Sequence, residues 1–203
     1  GVTLDTVGKP SYIIHADSAW DQLAWDAEFA TQIRSADAVY FGTLGQRSEP
    51  ARRTIRQALA VAESAALPRV LDVNLRAPFF DDAMIRESIA HATILKLSDE
   101  ELPAVCAACG VRNLPELRQA GDLEMVVMTR GAEGAVLQTG DGTVGQPGIP
   151  TVVRDTIGAG DAFTASFILG LLAGDEYGAI LRRSCETASA VCAHDGAVGP
   201  PGI

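Results

Sequence analysis

Short apolar runs alternate with helix-like stretches along this chain, and that alternation restricts the fold more than any other feature. Ala38–Phe41, Arg69–Val73, Thr93–Leu97 and Met125–Met128 read as strands. Between them lie helix-like segments over 17–35, from Ser48-Glu49-Pro50 to about Ala66, over Asp81–Ala92, and from Ser98 to Cys109 with Gly110 as stop. Ser48 has the chemistry of an N-cap, and Pro50 suits a first helical turn. Short apolar strands alternating with helices imply parallel strands in a sheet covered on both faces. The expected fold class is therefore α/β, a three-layer arrangement of a mostly parallel sheet flanked by helices. A short helix over Asn113–Gln119, a hairpin of Ala135–Thr139 with a strand after Asp141-Gly142, and a last helix from about Tyr177 to His194 complete this part of the reading. Val2–Asp5 and Ser11–His15 form a further hairpin that turns near Gly8-Lys9.

Ligands of such sheets sit beyond the carboxyl ends of the strands. Asp72-Val73-Asn74, Ser98, Thr129 and Gly158 fall at such ends. Around Gly158 the sequence is the most telling. PTVVRDT, bounded by Pro150, reads as a strand, residues 155–161 are Asp-Thr-Ile-Gly-Ala-Gly-Asp, and the run AFTASFILGLLAG follows. Phe163, Phe167, Ile168, Leu171 and Leu172 in that run keep helical spacing. Bare N–H groups at a helix start, where the macrodipole is positive, make an anion site. Asp161 puts a carboxylate in the same place, which is electrostatically odd unless it accepts a proton during reaction. Together they point to phosphoryl transfer to a hydroxyl, with Asp161 as base and the backbone of Gly158, Ala159 and Gly160 holding the developing charge. The plainer reading is a helix entry whose glycines serve only a tight turn.

Other motifs each have a plain reading as well. Asp72-Val73-Asn74-Leu75-Arg76 is either a solvated strand end or a cluster of polar groups facing one cleft. Ser98-Asp99-Glu100-Glu101 has the Ser-x-x-Glu pattern of a capping box, which needs no ligand. Thr129-Arg130-Gly131-Ala132-Glu133-Gly134 is at least a glycine-rich turn, and Gly196-Ala197 at least a helix stop. Trp20 is first of all a candidate core residue. Cys106-Ala-Ala-Cys109 has redox or metal spacing, but there is no second such pair, and Cys185 and Cys192 share an apolar helical face. Buried thiols are the expected account of all four.

DTIGAGDAF resembles the C-terminal signature of the ribokinase-like, phosphofructokinase-B type carbohydrate kinases, and the resemblance runs from Val2 to Pro200. It implies a catalytic base at Asp161 and an anion hole at Gly158, Ala159 and Gly160. The Thr129 segment is similar to the family's T-x-G-x-x-G, which makes Thr129 and Gly131 nucleotide contacts. Asp72-Val73-Asn74-Leu75-Arg76 resembles the D-x-N-x-R of fructokinase-like members, so Asp72, Asn74 and Arg76 would line the sugar and phosphate side. Ser98 stands where the family has Asn in N-x-x-E, which puts that phosphate contact in doubt, and Glu101 would organise Mg²⁺ and its waters. Asp155, Ile157, Val191, His194 and Gly196 would surround a monovalent cation such as K⁺. Ala19-Trp20-Asp21 also resembles fructokinase-like members and favours a ketohexose. The implied activity is ATP-dependent phosphorylation of a sugar, fructose foremost. The alternatives are another sugar or a nucleoside as acceptor, or a catalytically silent kinase-like binding protein. The family also implies a homodimer formed through its β-lid.

A length of 203 residues fits one domain, here a single kinase domain over 1–203 with 1–16 as the lid-side hairpin. Relatives carry close to a hundred further residues ahead of this point, and the chain opens on Gly1, so an N-terminally incomplete domain is expected. A net charge of −10 argues against nucleic acid or an anionic membrane as partner. No apolar run approaches a membrane span. A cytoplasmic location is the expectation.

Overall fold

The computed structural model describes residues 2–4, 10–12 and 14–197. Strands β1 (Val2–Leu4) and β2 (Pro10–Tyr12) come first, then α1 (Ala27–Arg34), β3 (Val39–Gly42), α2 (Glu49–Ser64), β4 (Arg69–Asp72), α3 (Asp82–His91) and β5 (Ile94–Ser98). They are followed by α4 (Leu102–Cys109), α5 (Leu114–Ala120), β6 (Met125–Thr129), β7 (Ala135–Gln138), β8 (Thr143–Gln146), α6 (Ala159–Ala173) and α7 (Tyr177–Cys192). One sheet has the order β3-β4-β5-β6-β7-β8, and β1 pairs with β2 separately. This is the mostly parallel, helix-flanked α/β sheet expected from the alternation.

The chain divides into two compact units. The first holds 17–128 and 138–143. In it β3 and β4 are parallel, with Val39 opposite Arg69 and Gly42 opposite Asp72, and β4 and β5 are parallel, with Val70 opposite Ile94. Val70, Leu71, Leu95 and Leu97 are all buried, as continuous apolar strands covered on both faces should be. Burying each such side chain contributes about 1.5–3 kcal/mol. Polar side chains set the helix starts. Ser48 accepts from the Ala51 N–H, Asp81 from Met84, and Asn113 from Glu116. Each of these caps is worth about 1 kcal/mol. Gly110, at φ +67°, ends α4 as expected.

The helix expected over 17–35 is broken. A 3-10 turn covers Ala19–Gln22, and α1 starts only at Ala27. Two acidic side chains cause the break. Asp21 accepts from the Ser18 N–H at 3.0 Å, closing the first turn on itself, and Asp26 accepts from the Phe29 N–H at 2.8 Å, opening a new helix.

The second unit holds 1–16, 129–137 and 144–203. Its core includes Phe163, Phe167, Ile180 and Leu181 from α6 and α7. Gly170 lets the two helices close up, since a Cβ there would lie 2.9 Å from Ile180 Cγ1. β1 and β2 are antiparallel, with Val2 opposite Tyr12. The expected turn of this hairpin at Gly8-Lys9 lies outside the described residues, as do Asp5, Ile13 and Pro200. The strand expected in PTVVRDT is absent. The N–H groups of Arg154 and Asp155 donate to the Cys192 carbonyl at the end of α7 rather than to a strand, and Val152 and Val153 are exposed.

Candidate active site

In the second unit the signature folds as a tethered turn running into α6. Gly158 is the N-cap residue at φ +81°. A Cβ on it would lie 2.5 Å from the Ala197 carbonyl oxygen, so glycine is required by backbone angle and by space together. Asp155 holds the turn from below. Its carboxylate accepts from the Ile157 N–H and from the Gly196 N–H, each at 2.9 Å. Those backbone donors, Ile157 first, hold its carboxyl below the usual aspartate range. The Ala159 N–H donates to the Thr156 carbonyl at 3.3 Å, and the Ala162 N–H to Gly158 at 2.9 Å. Among the described residues, the N–H groups of Gly158, Gly160 and Asp161 have no protein acceptor. These are the orphan donors of a helix start, pointing where an anion would sit. Asp161 is exposed in the first turn of α6.

A cavity of about 580 Å³ opens beside this turn, within the same unit. Thr129, Gly131, Thr156 and Gly160 line it, with Phe163 and Cys185 on its apolar side. Its size and its mostly apolar wall with a few polar groups suit a drug-sized or nucleotide-sized ligand. The structure thus brings Thr129 and Gly131 together with Ala159 and Gly160, residues that sequence reading assigned to one site. Phe163 stacks on Phe167 with ring centres 6.2 Å apart, which stiffens that wall. Burial pushes the Cys185 and Cys192 thiols up from their ordinary range. All four cysteines are free thiols; Cys106 and Cys185 are buried as expected, while Cys109 and Cys192 are only half-buried.

Asp72, Asn74, Arg76, Ser98 and Glu101 lie in the first unit. Asp72 is 1% exposed, and both its oxygens accept from Lys96 Nζ, at 3.1 and 3.0 Å. Tyr40 donates its hydroxyl to the same carboxylate at 3.3 Å. The side chain expected to face the sugar therefore points into the sheet. Asn74 follows at φ +42°, a left-handed turn that asparagine tolerates, with Arg76 half-buried beyond it. Glu101 joins two segments. It accepts from the Leu75 N–H at 2.7 Å, from the Ser98 N–H at 2.8 Å and from the Ser98 hydroxyl at 3.0 Å. The reciprocal bonds of a capping box are present, with the Glu101 N–H donating back to the Ser98 hydroxyl at 3.3 Å, but they close a turn ahead of α4, whose N-cap is Glu101 and not the expected Ser98. A carboxylate offers about four lone-pair sites, so one remains for a metal-bound water.

Val191 and His194 sit at the end of α7, where the His194 N–H donates to the Val191 carbonyl. Asp155 is the residue that ties this end to the signature. Among the described residues, no group of three or more His, Cys, Asp or Glu side chains is placed to hold a metal ion. Carbonyl-rich or water-mediated binding is the mode these residues fit.

Trp20 is 39% exposed, so the core-packing reading of it fails. It lies 4.2 Å from the guanidinium carbon of Arg47, which is paired with Asp21. Sequence reading missed that pair, the Asp155–Gly196 tether and the Lys96–Asp72 bond. Only the last had a visible signal: a lysine inside the apolar run Ile94–Ser98 demands a buried counterion.

The pfkB family carbohydrate kinase model matches residues 3–201. The chain belongs to this family. Fructokinase-2 of Oryza sativa subsp. japonica is 29% identical over 182 residues, covering 86% of this chain and 54% of the relative. A nucleoside kinase of Burkholderia thailandensis in complex with inosine superposes with a TM-score of 0.79 at 24% identity, over 97% of this chain and 61% of that one. Aminoimidazole riboside kinase from Salmonella enterica, complexed with aminoimidazole riboside and an ATP analog, gives a TM-score of 0.75 at 24% identity, over 94% and 67%. The chain spans about 40–60% of the length of the first curated relatives it matches. At these identities the solved structures establish the fold. No helix among the described residues is long and apolar enough to cross a membrane.

Proposed function

We propose that the protein transfers the γ-phosphoryl group of ATP to a sugar hydroxyl, with fructose the first acceptor to test. The observation that carries this reading is the chemistry of the α6 start. Orphan N–H groups and an exposed carboxylate share one turn, beside a cavity of nucleotide size. In this reading Asp161 accepts the proton of the acceptor hydroxyl, which becomes the attacking oxygen. The backbone of Gly158, Ala159 and Gly160 steadies the charge on the transferring group. Because the Ala159 N–H is partly engaged with Thr156, Gly160 and the Asp161 N–H carry more of that task. Thr129 and Gly131 hold the nucleotide, and Ser98 and Arg76 meet its phosphates. Asn74 and Arg76 form the acceptor side, with Asp72 supporting them from within the sheet.

When bound, Mg²⁺ neutralises phosphate charge. Glu101 would orient its waters through the one acceptor site its hydrogen bonds leave. Asp155, Ile157, Val191, His194 and Gly196 would hold K⁺ under the anion hole. A cytoplasmic enzyme, paired through the lid hairpin, fits this assignment.

A nucleoside acceptor is the second reading, favoured by the superposition on the B. thailandensis nucleoside kinase. The deciding experiment is turnover of the full-length protein with MgATP and a panel of fructose, ribose and inosine, for wild type and Asp161→Asn. The variant should lose on the order of 10²–10⁴-fold in rate with whichever acceptor works. Unchanged turnover would remove Asp161 as base. ATP binding with no ADP from any acceptor would favour a silent binding protein.

A further inference from the structure

Arg47 has no part in the chemistry above, yet it joins three segments of the first unit. It follows directly on the 3-10 turn Leu44–Gln46, just beyond β3. Its Nε and Nη2 bind the two oxygens of Asp21 at 2.7 and 2.6 Å. The guanidinium lies 4.2 Å from the Trp20 ring centre and 4.9 Å from that of Phe79. The paired side chains are 7% and 6% exposed. Asp21 is fixed in turn: its carboxylate accepts from the Ser18 N–H at 3.0 Å, and its carbonyl accepts from the Ser48 hydroxyl at 2.5 Å.

Phe79 belongs to the irregular stretch 73–81 between β4 and α3, which also carries Asn74 and Arg76. The near end of this stretch is pinned by side chains that bond its backbone. Thr43 donates its hydroxyl to the Val73 carbonyl at 2.7 Å, and the Leu75 N–H donates to Glu101 at 2.7 Å. Toward the far end, the Phe79 N–H only closes a local turn onto the Arg76 carbonyl at 2.8 Å. The ring of Phe79 against Arg47 fastens that turn to the loop after β3. Arg76 lies between the two anchors.

We propose that Arg47 is a positioning residue: its guanidinium, locked by Asp21 and stacked on Phe79, sets the geometry of the turn that presents Asn74 and Arg76. That this turn faces the acceptor rests on the function proposed above; the clamp itself does not. Lysine cannot replace arginine here, because an ammonium has no planar fork to bind a carboxylate in two places while lying on an aromatic face.

The test uses Arg47→Lys and Phe79→Leu in the full-length protein, read by hydrogen exchange and by steady-state kinetics. Both variants should speed amide exchange across 73–81 by about tenfold, the scale of one partly desolvated cation–π contact, with the β4 and β5 amides unchanged. The KM for the best acceptor among fructose, ribose and inosine should rise by about the same factor, with the KM for ATP unchanged. Unchanged exchange over 73–81 in both variants would overturn the proposal. So would uniform acceleration over the whole unit, or a parallel rise of both KM values, since these describe general destabilisation. If Arg47→Lys does not fold, Phe79→Leu, which leaves the ion pair intact, decides alone. If the wild type phosphorylates none of the three acceptors, the function proposal falls, and the exchange measurement still decides the clamp.

Discussion

Replacing Lys96 by methionine isolates the electrostatics beneath the β4 end. Lys96 is 7% exposed and Asp72 1%, so neither charge can be hydrated where it stands. Methionine matches the lysine stem in bulk but removes the ammonium that binds both Asp72 oxygens. The Tyr40 hydroxyl, at 3.3 Å, remains as a donor but carries no charge. Breaking a buried pair from one side costs about 3–5 kcal/mol. For a chain of this length that is a fall in Tm of about 6–20 °C, at roughly 2–4 °C per kcal/mol. Adding Asp72→Asn to Lys96→Met removes the stranded carboxylate, so the double variant should be more stable than Lys96→Met alone. Urea and thermal unfolding followed by circular dichroism give all the corners of the cycle. The reasoning fails if Lys96→Met costs less than about 1 kcal/mol, the scale of an exposed pair. It also fails if the double variant loses the sum of the two single losses, because the two sites would then be uncoupled.

Gly158→Ala should sharply reduce phosphoryl transfer while leaving the fold largely in place. The φ of +81° alone costs alanine about 1–2 kcal/mol, and its Cβ would press on the Ala197 carbonyl 2.5 Å away. The α6 start must shift, and initial-rate assays with a thermal melt separate the two effects. Asp155 sets a pH dependence of known sign. Its folded-state pKa lies below that of the unfolded chain, so its stabilising contribution is complete above the ordinary aspartate value of about 4 and is lost as pH falls through the folded value. Asp155→Asn should therefore lower stability at neutral pH and flatten the loss of stability below about pH 4, read as Tm against pH.

Most of the fold was legible because its causes are local. Ser48, Asp81, Asn113 and Gly110 mark helix ends through hydrogen bonds or backbone angles within four residues of themselves. The two failures differ in cause: one has a partner distant in sequence, the other local bonds that helical spacing hides. The PTVVRDT stretch has strand composition, yet its backbone bonds go to Cys192, on the last helix. The 17–35 stretch has helical spacing, yet Asp21 and Asp26 each bond a backbone N–H three residues away and split it into a turn and a helix. The site divides too. That Thr129, Gly131 and Gly160 share one site was implied by the family resemblance, while the fate of Asp72 depended on a lysine one strand over.

That difference bears on which carboxylate can do chemistry. Sequence reading nominated four: Asp72, Glu101, Asp155 and Asp161. Asp72 is spent on Lys96, Glu101 on Ser98 and Leu75, and Asp155 on Ile157 and Gly196. A carboxylate whose lone pairs are taken up by two or three donors has little room left to meet a substrate hydroxyl. The Asp161 carboxylate alone among them makes no protein hydrogen bond in the described residues, and it is exposed on the helix turn where the N–H groups of Gly158, Gly160 and Asp161 are also unspent. A general base needs an open lone pair within reach of the hydroxyl it deprotonates. An anion hole needs donors not already satisfied by the protein. The open carboxylate and the open donors stand on the same turn, which the engaged carboxylate of Asp155 tethers through Ile157 and Gly196.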